Sequence, residues 1–283
     1  PRLRTARTDE DPSPAHKASH WTPSTLAAPV ATGDASEWGT APGMSASPDQ
    51  QEIQTATPLG VRSAVPERRL RSVERTAILG RLERDRGAAL AVFTASAGFG
   101  KTTVMLQWAG QVGRSAYLRL NEAHDDPSVL MSDLAVALGA LEPIRDDLAH
   151  PIPGRTLEPG LQAATRLAEA VSGFRGPTLL LIDDIHVLRD RRAADALSVL
   201  IELLPTGFRV AVAGHDASVL HLARMRAADQ LVEIGESQLA FGADETRTLA
   251  QLLDVPISRE EAATIMAETS GWPVAVSLAL HSF

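Results

Sequence analysis

Ten residues constrain this chain more than any others: Thr94-Ala95-Ser96-Ala97-Gly98-Phe99-Gly100-Lys101-Thr102-Thr103. They follow an apolar run, Ala88-Ala89-Leu90-Ala91-Val92-Phe93, and precede one with helical spacing, Val104-Met105-Leu106-Gln107-Trp108. Strand, small-residue loop, Lys-Thr and helix is the order a phosphate-binding loop requires. Such a loop wraps so that successive backbone N–H groups point inward, and Gly98 and Gly100 permit the dihedrals and close approach this needs. The N-terminus of the following helix adds unpaired N–H groups and partial positive charge. Ala97, Gly98, Phe99, Gly100, Lys101, Thr102 and Thr103 form the expected cradle. Lys101 would reach the β- and γ-phosphates of ATP or ADP, and the Thr102 hydroxyl would ligate Mg²⁺. Ala95 stands where the motif usually has its first glycine. A Gly-rich turn carrying a surface lysine is the bland alternative, and the preceding apolar strand weighs against it.

The 283 residues are 44% hydrophobic and 22% charged. That supports one large domain or two smaller ones with a real core. A formal charge of −8 argues against broad nucleic-acid or membrane-surface binding, though not against a local basic patch. The absence of cysteine excludes disulfides and thiolate metal sites. No apolar run approaches the ~20 residues of a membrane span and no signal peptide is visible, so a cytoplasmic protein without membrane partners is expected. The chain opens on Pro1 and stops at Phe283 within an apolar helical pattern, which reads as a piece of a longer polypeptide.

Residues 1–60 hold eight of the eighteen prolines, with abundant Ser, Thr and Ala, and read as a disordered tail. A short amphipathic helix is expected over 73–86 and strands over 89–94, 116–120, 178–184, 208–213 and 231–234. Between them fall expected helices at 101–110, 129–141, 161–171, 193–204 and 219–226, with a loop-rich connection from Pro143 to Pro159. Alternating strands and helices predict an α/β fold: a P-loop NTPase with a five-stranded, mainly parallel sheet flanked by helices. The nucleotide-binding domain is placed at 61–240. Beyond Phe241 the pattern is purely helical, with a capping box at Ser258-Arg259-Glu260-Glu261 and a break at Gly271-Trp272-Pro273. Residues 241–283 therefore read as the start of a small all-helical lid subdomain.

Thr178-Leu179-Leu180-Leu181-Ile182-Asp183-Asp184 is a continuous apolar run ending in two acids. Such a run suits a strand buried on both faces of a parallel sheet. Parallel strands present their carboxyl ends on one edge, so the acids should meet the phosphate loop there. Asp183 would hold Mg²⁺ through its water shell, and Asp184 would orient or deprotonate the attacking water. The strand intervening in sequence predicts a sheet in which another strand separates the loop strand from the acidic one. His186 reads equally as a phosphate or acid contact and as a turn residue. His215 ends the 208–213 strand where a γ-phosphate sensor is often kept, and a bland structural role is also open.

In this order, Ala95–Thr103 with Gln107-Trp108-Ala109, Leu181-Ile182-Asp183-Asp184-Ile185-His186, Leu222-Ala223-Arg224-Met225-Arg226, Gln230–Ile234, Leu239-Ala240-Phe241 and Gly271-Trp272-Pro273 resemble a known module. It is the ATP-binding module of large LuxR-type transcriptional regulators similar to the maltose-regulon activator, in the STAND class of signal-transduction ATPases. The resemblance covers residues 65–283. Ala at position 95 is ordinary in that family. The resemblance implies a switch: closed and inactive with ADP, opened by inducer and ATP into a self-associating form that activates transcription. It implies that Pro273 lies against the adenine and that Val73 and Arg75 line its other side; slow or differently sensed ATP hydrolysis is expected from the departure at Gly214-His215. Inducer and DNA would be bound by regions beyond this module's carboxyl end. The Ser-Arg pair expected after the fourth strand appears as Gly214-His215. A turnover ATPase of the AAA+ kind and a non-catalytic nucleotide-binding scaffold are the competing readings.

Overall fold

The computed structural model describes Pro66, residues 72–144 and residues 158–282, all within the second of two compact units, Ala56–Phe283. The Pro-rich tail and most of the 143–159 connection lie outside the described residues. The apolar runs form strands β1 (Leu90–Thr94), β2 (Ser115–Arg119), β3 (Thr178–Asp183), β4 (Phe208–Gly214) and β5 (Leu231–Ile234). Every pairing is parallel and the order is β2-β3-β4-β1-β5. β4 therefore stands between the loop strand and the acidic strand, as the order in sequence predicts.

All six residues of β3 are buried, which is why the run is continuously apolar. Period-two alternation sorts the strand side chains into two cores. Leu90, Val92, Leu118, Leu180, Ile182, Val210 and Val212 pack with Leu134, Leu138, Leu167 and Leu197 from helices α3 (Pro127–Gly139), α4 (Pro159–Val171) and α5 (Arg191–Leu203). Ala91, Phe93, Leu179, Leu181, Ala211 and Ala213 pack on the opposite face with α1 (Thr76–Arg84) and α2 (Lys101–Val112). The small residues on that face leave room for Trp108 of α2, which is fully buried.

Local chemistry sets the helix ends. Asp126 caps α3 by accepting from Ser128 N–H, and Asp190 caps α5 by accepting from Arg192 N–H. The helix expected from Val73 begins only at Thr76. The Gln107 side chain explains this: its amide donates to Val73 O at 2.8 Å and its oxygen accepts from Arg75 N–H at 2.9 Å, keeping that stretch out of the helix. After β4, an Asp216–Ser218 turn delays the next helix, so α6 spans Leu222–Ala227. A four-residue helix absent from the sequence reading, α7 (Glu236–Leu239), follows β5. Then come α8 (Ala243–Leu252), α9 (Arg259–Glu268), with the expected Ser258–Glu261 capping box, and α10 (Pro273–Leu280). These last three share a small core of Ala250, Ile265, Val276 and Leu280.

Candidate functional site

At the carboxyl edge of the sheet, β1 runs into the phosphate loop and α2 begins at Lys101. Gly98 and Gly100 have φ of +83° and +78°, so both need the left-handed region that glycine enters without strain. Ala97 is exposed, while Gly98, Phe99, Gly100, Lys101, Thr102 and Thr103 are half-buried along the cradle. Ala95 is buried, and its N–H donates to Gly214 O at 3.2 Å, continuing the β1–β4 ladder into the loop. Lys101 Nζ donates to Ala95 O at 2.7 Å and Ser96 O at 2.9 Å, which holds the ammonium against the loop. Burial lowers its pKa, and the charges of Asp183, Asp184 and Glu236 oppose that shift.

Thr102 and Asp183 meet although 81 residues separate them. The Thr102 hydroxyl donates to Asp183 Oδ2 at 2.6 Å, and Tyr117 of β2 donates to the same oxygen at 3.2 Å. Burial and the Asp183 charge push the Tyr117 hydroxyl's pKa well above its usual value, so it stays a donor. A hydroxyl and a carboxylate in contact at a helix N-terminus are hard oxygen ligands, a donor set that fits Mg²⁺. Asp184 departs from the strand with φ of +61°, its N–H turned onto Asp183 Oδ1 at 3.0 Å. That turn aims its carboxylate at Arg119, whose Nε lies 2.7 Å from Oδ2. The β2–β3 register, with Arg119 opposite Asp183, brings the pair together. The hydrogen bond to Asp184 raises the Arg119 pKa further, so the guanidinium stays charged.

The Gly214-His215 pair after β4 has its own geometry. A Cβ at Gly214 would lie 2.7 Å from Ile185 Cγ2 and 2.9 Å from Asp216 O, so the serine expected by resemblance does not fit between the β3 and β4 exits. His215 is exposed and packs against His186, with ring centres 4.0 Å apart. His186 Nδ1 lies 4.0 Å from Asp184 Oδ1; burial and then His215 lower the His186 pKa, which favours its neutral form.

The helical group sits on the loop. Trp272 Nε1 donates to Ala97 O at 3.0 Å, and its ring stacks on Phe99 with centroids 6.5 Å apart. A Cβ at Gly98 would come within 2.7 Å of Val274 Cγ2, so α10 occupies the space that this glycine opens. Pro273 begins α10 between these two contacts and is half-buried.

Arg75, expected to line the base, has its guanidinium buried among carbonyls: Nη1 donates to Leu239 O at 2.6 Å, and Nη2 to Gln238 O at 2.9 Å and Ala240 O at 3.2 Å. Nε lies 2.9 Å from Glu245 Oε1, and the group stacks over Phe241 at 5.0 Å. A buried guanidinium needs acceptors for its donors, and three of them are carbonyls at the C-terminal end of α7. Arg75 thus joins the end of α7 to α8. Sequence reasoning also missed Arg119, Tyr117 and Glu236. Arg119 and Tyr117 were signalled only by standing on the strand next to the acidic one, and Glu236 by nothing local.

No protein-family model matches the chain. Among solved structures it is similar to a Signal Transduction ATPase with Numerous Domains (STAND) protein with a tetratricopeptide repeat sensor from Pyrococcus horikoshii, at 16% identity and a TM-score of 0.56. That match covers 77% of this chain and 31% of the archaeal protein, so this chain spans less than a third of that relative's length. Similarity extends to Cdc6p from Pyrobaculum aerophilum (18% identity, 78% and 62% of the two chains, TM-score 0.44). It also reaches the Orc1 protein of Aeropyrum pernix in complex with DNA (20% identity, 75% and 59%, TM-score 0.43). The fold is that of a P-loop NTPase. Among the described residues, no helix is long and apolar enough to cross a membrane.

Proposed function

We propose that this chain is an ATP/ADP-binding regulatory switch, the nucleotide module of a LuxR-type transcriptional activator, with slow Mg²⁺-dependent ATP hydrolysis. The observation that carries the proposal is the 2.6 Å contact between Thr102 and Asp183 at the N-terminus of α2. Backbone N–H groups from Gly98 to Thr103 and the α2 terminus receive the phosphates, and Lys101 places its charge on the β- and γ-oxygens. Thr102 and Asp183 hold Mg²⁺, which neutralises charge on those oxygens when bound. Asp184 orients the attacking water and takes its proton, which requires its carboxylate to leave Arg119. His215, backed by His186, stands where the γ-phosphate sensor is expected. Pro273 approaches the base.

The lid favours a switch over a fast engine. Trp272 and Val274 rest on the loop itself, so a change in the loop on binding is passed to the lid. A ligand biases a two-state protein only through unequal affinity for the two states, which suits discrimination between ADP and ATP. Inducer and DNA are taken by regions beyond residue 283, and the ATP-bound form self-associates. The test is to extract nucleotide from the purified protein and measure ADP and ATP affinities. ADP in the extract, and Lys101→Ala binding at least about tenfold weaker through loss of a charge-assisted phosphate contact, are the expected results. Equal binding by parent and Lys101→Ala would overturn the site. Steady-state turnover of about 1 s⁻¹ or faster, abolished by Asp184→Asn, would replace the switch with a turnover ATPase.

A further inference from the structure

The short helix α7 has both ends engaged. At its first residue, Glu236 Oε1 accepts from Ser96 N–H at 2.7 Å and from the Ser96 hydroxyl at 2.6 Å. The Ser96 carbonyl in turn accepts from Lys101 Nζ at 2.9 Å. At its far end, the Gln238, Leu239 and Ala240 carbonyls are gripped by Arg75, which also pairs with Glu245 of α8 and stacks on Phe241. Phe241 N–H donates to Gly271 O at 2.7 Å, and the next residue, Trp272, returns to the loop at Ala97 O. The contacts close a ring that leaves the phosphate loop at Ser96 and re-enters it at Ala97.

A carboxylate beside a loop that receives polyphosphate is unfavourable unless something requires it. Here it takes a loop N–H and hydroxyl with one oxygen, and these hydrogen bonds favour its ionised form. We propose that Glu236 is a positioning residue of the phosphate loop: it holds Ser96, through Ser96 it sets Lys101, and through α7 it ties the loop's conformation to the seat of the lid. Loop occupancy and lid closure then move together, because α7 is too short and too firmly held to absorb a shift at one end. The inference rests on the nucleotide-binding reading of the loop.

The test uses the full chain and its Glu236→Ala, Glu236→Gln and Ser96→Ala variants, with fluorescent ADP dissociation and hydrogen exchange of residues 271–280 as readouts. Glu236→Ala is expected to release ADP about three- to tenfold faster, the size of a partly screened charged hydrogen bond. It should also lose the nucleotide-dependent protection of the lid turn. Glu236→Gln keeps an acceptor oxygen and should recover most of that protection, and Ser96→Ala should fall between. A purely structural role would move thermal stability and leave the nucleotide dependence of lid exchange intact. Wild-type ADP release and lid protection in folded Glu236→Ala would overturn the inference while leaving the site reading in place. No ADP binding by the parent chain would instead overturn that reading, and the inference with it.

Discussion

Asp184 shows how a neighbouring strand sets a side chain's chemistry. Its left-handed backbone and its pairing with Arg119 turn the carboxylate toward β2. One of its two oxygens is thereby occupied by the guanidinium and has to be released before it can take up a water. Replacing Arg119 by Met should therefore speed single-turnover ATP hydrolysis about two- to fivefold, the modest figure an exposed ion pair supports. ADP affinity should stay unchanged, and a matched loss of both would show that Arg119 contacts nucleotide. Asp183 is readable from its place at the end of an apolar run. Arg119 is not, because nothing in residues 115–119 reveals which strand lies alongside.

Among the elements, the turn into α10 is the most constrained. Gly271 has φ of +68°, and a Cβ there would lie 2.4 Å from Phe241 O. Gly271→Ala should cost about 1–3 kcal/mol of local stability and unseat Trp272. The measurements are urea unfolding and the quenching of Trp272 fluorescence in a background without other tryptophans. Unchanged quenching would mean that the lid does not depend on this turn. The turn was visible as Gly-Trp-Pro, and the Ser258 capping box likewise declared α9. By contrast α7 had no periodicity to detect: four residues make a single turn, held by Arg75, which lies more than 160 residues earlier in the chain. The late start of α1 has a similar cause, since Gln107 of α2 competes for the backbone of residues 73–75.

Across the whole molecule, a ligand that binds only the folded form adds stability by mass action. Mg·ADP at a hundredfold excess over Kd should add about 2.7 kcal/mol, a rise in Tm of roughly 5–10 °C for a domain of this size. Chelating Mg²⁺ should remove part of that gain, and Asp183→Asn should make the remainder insensitive to chelation. Identical melting with and without nucleotide would count against the switch.

The residues alone determine the parallel α/β fold, the phosphate loop and the acidic strand end. Those signals are local: small residues where the backbone must bend, and unbroken apolar runs where both faces are buried. Sequence order also indicated the intervening strand, and β4 is that strand. Only tertiary structure decided what completes the site. Strand adjacency brought Arg119 to Asp184, the close exits of β3 and β4 required glycine at 214 and left His215 against His186, and the return of α10 set Trp272 on the loop. These contacts join residues tens to nearly two hundred positions apart, where no periodicity carries information. Arg75 illustrates the difference: only resemblance singled it out in the sequence, and only the fold buries its guanidinium against three carbonyls and Glu245.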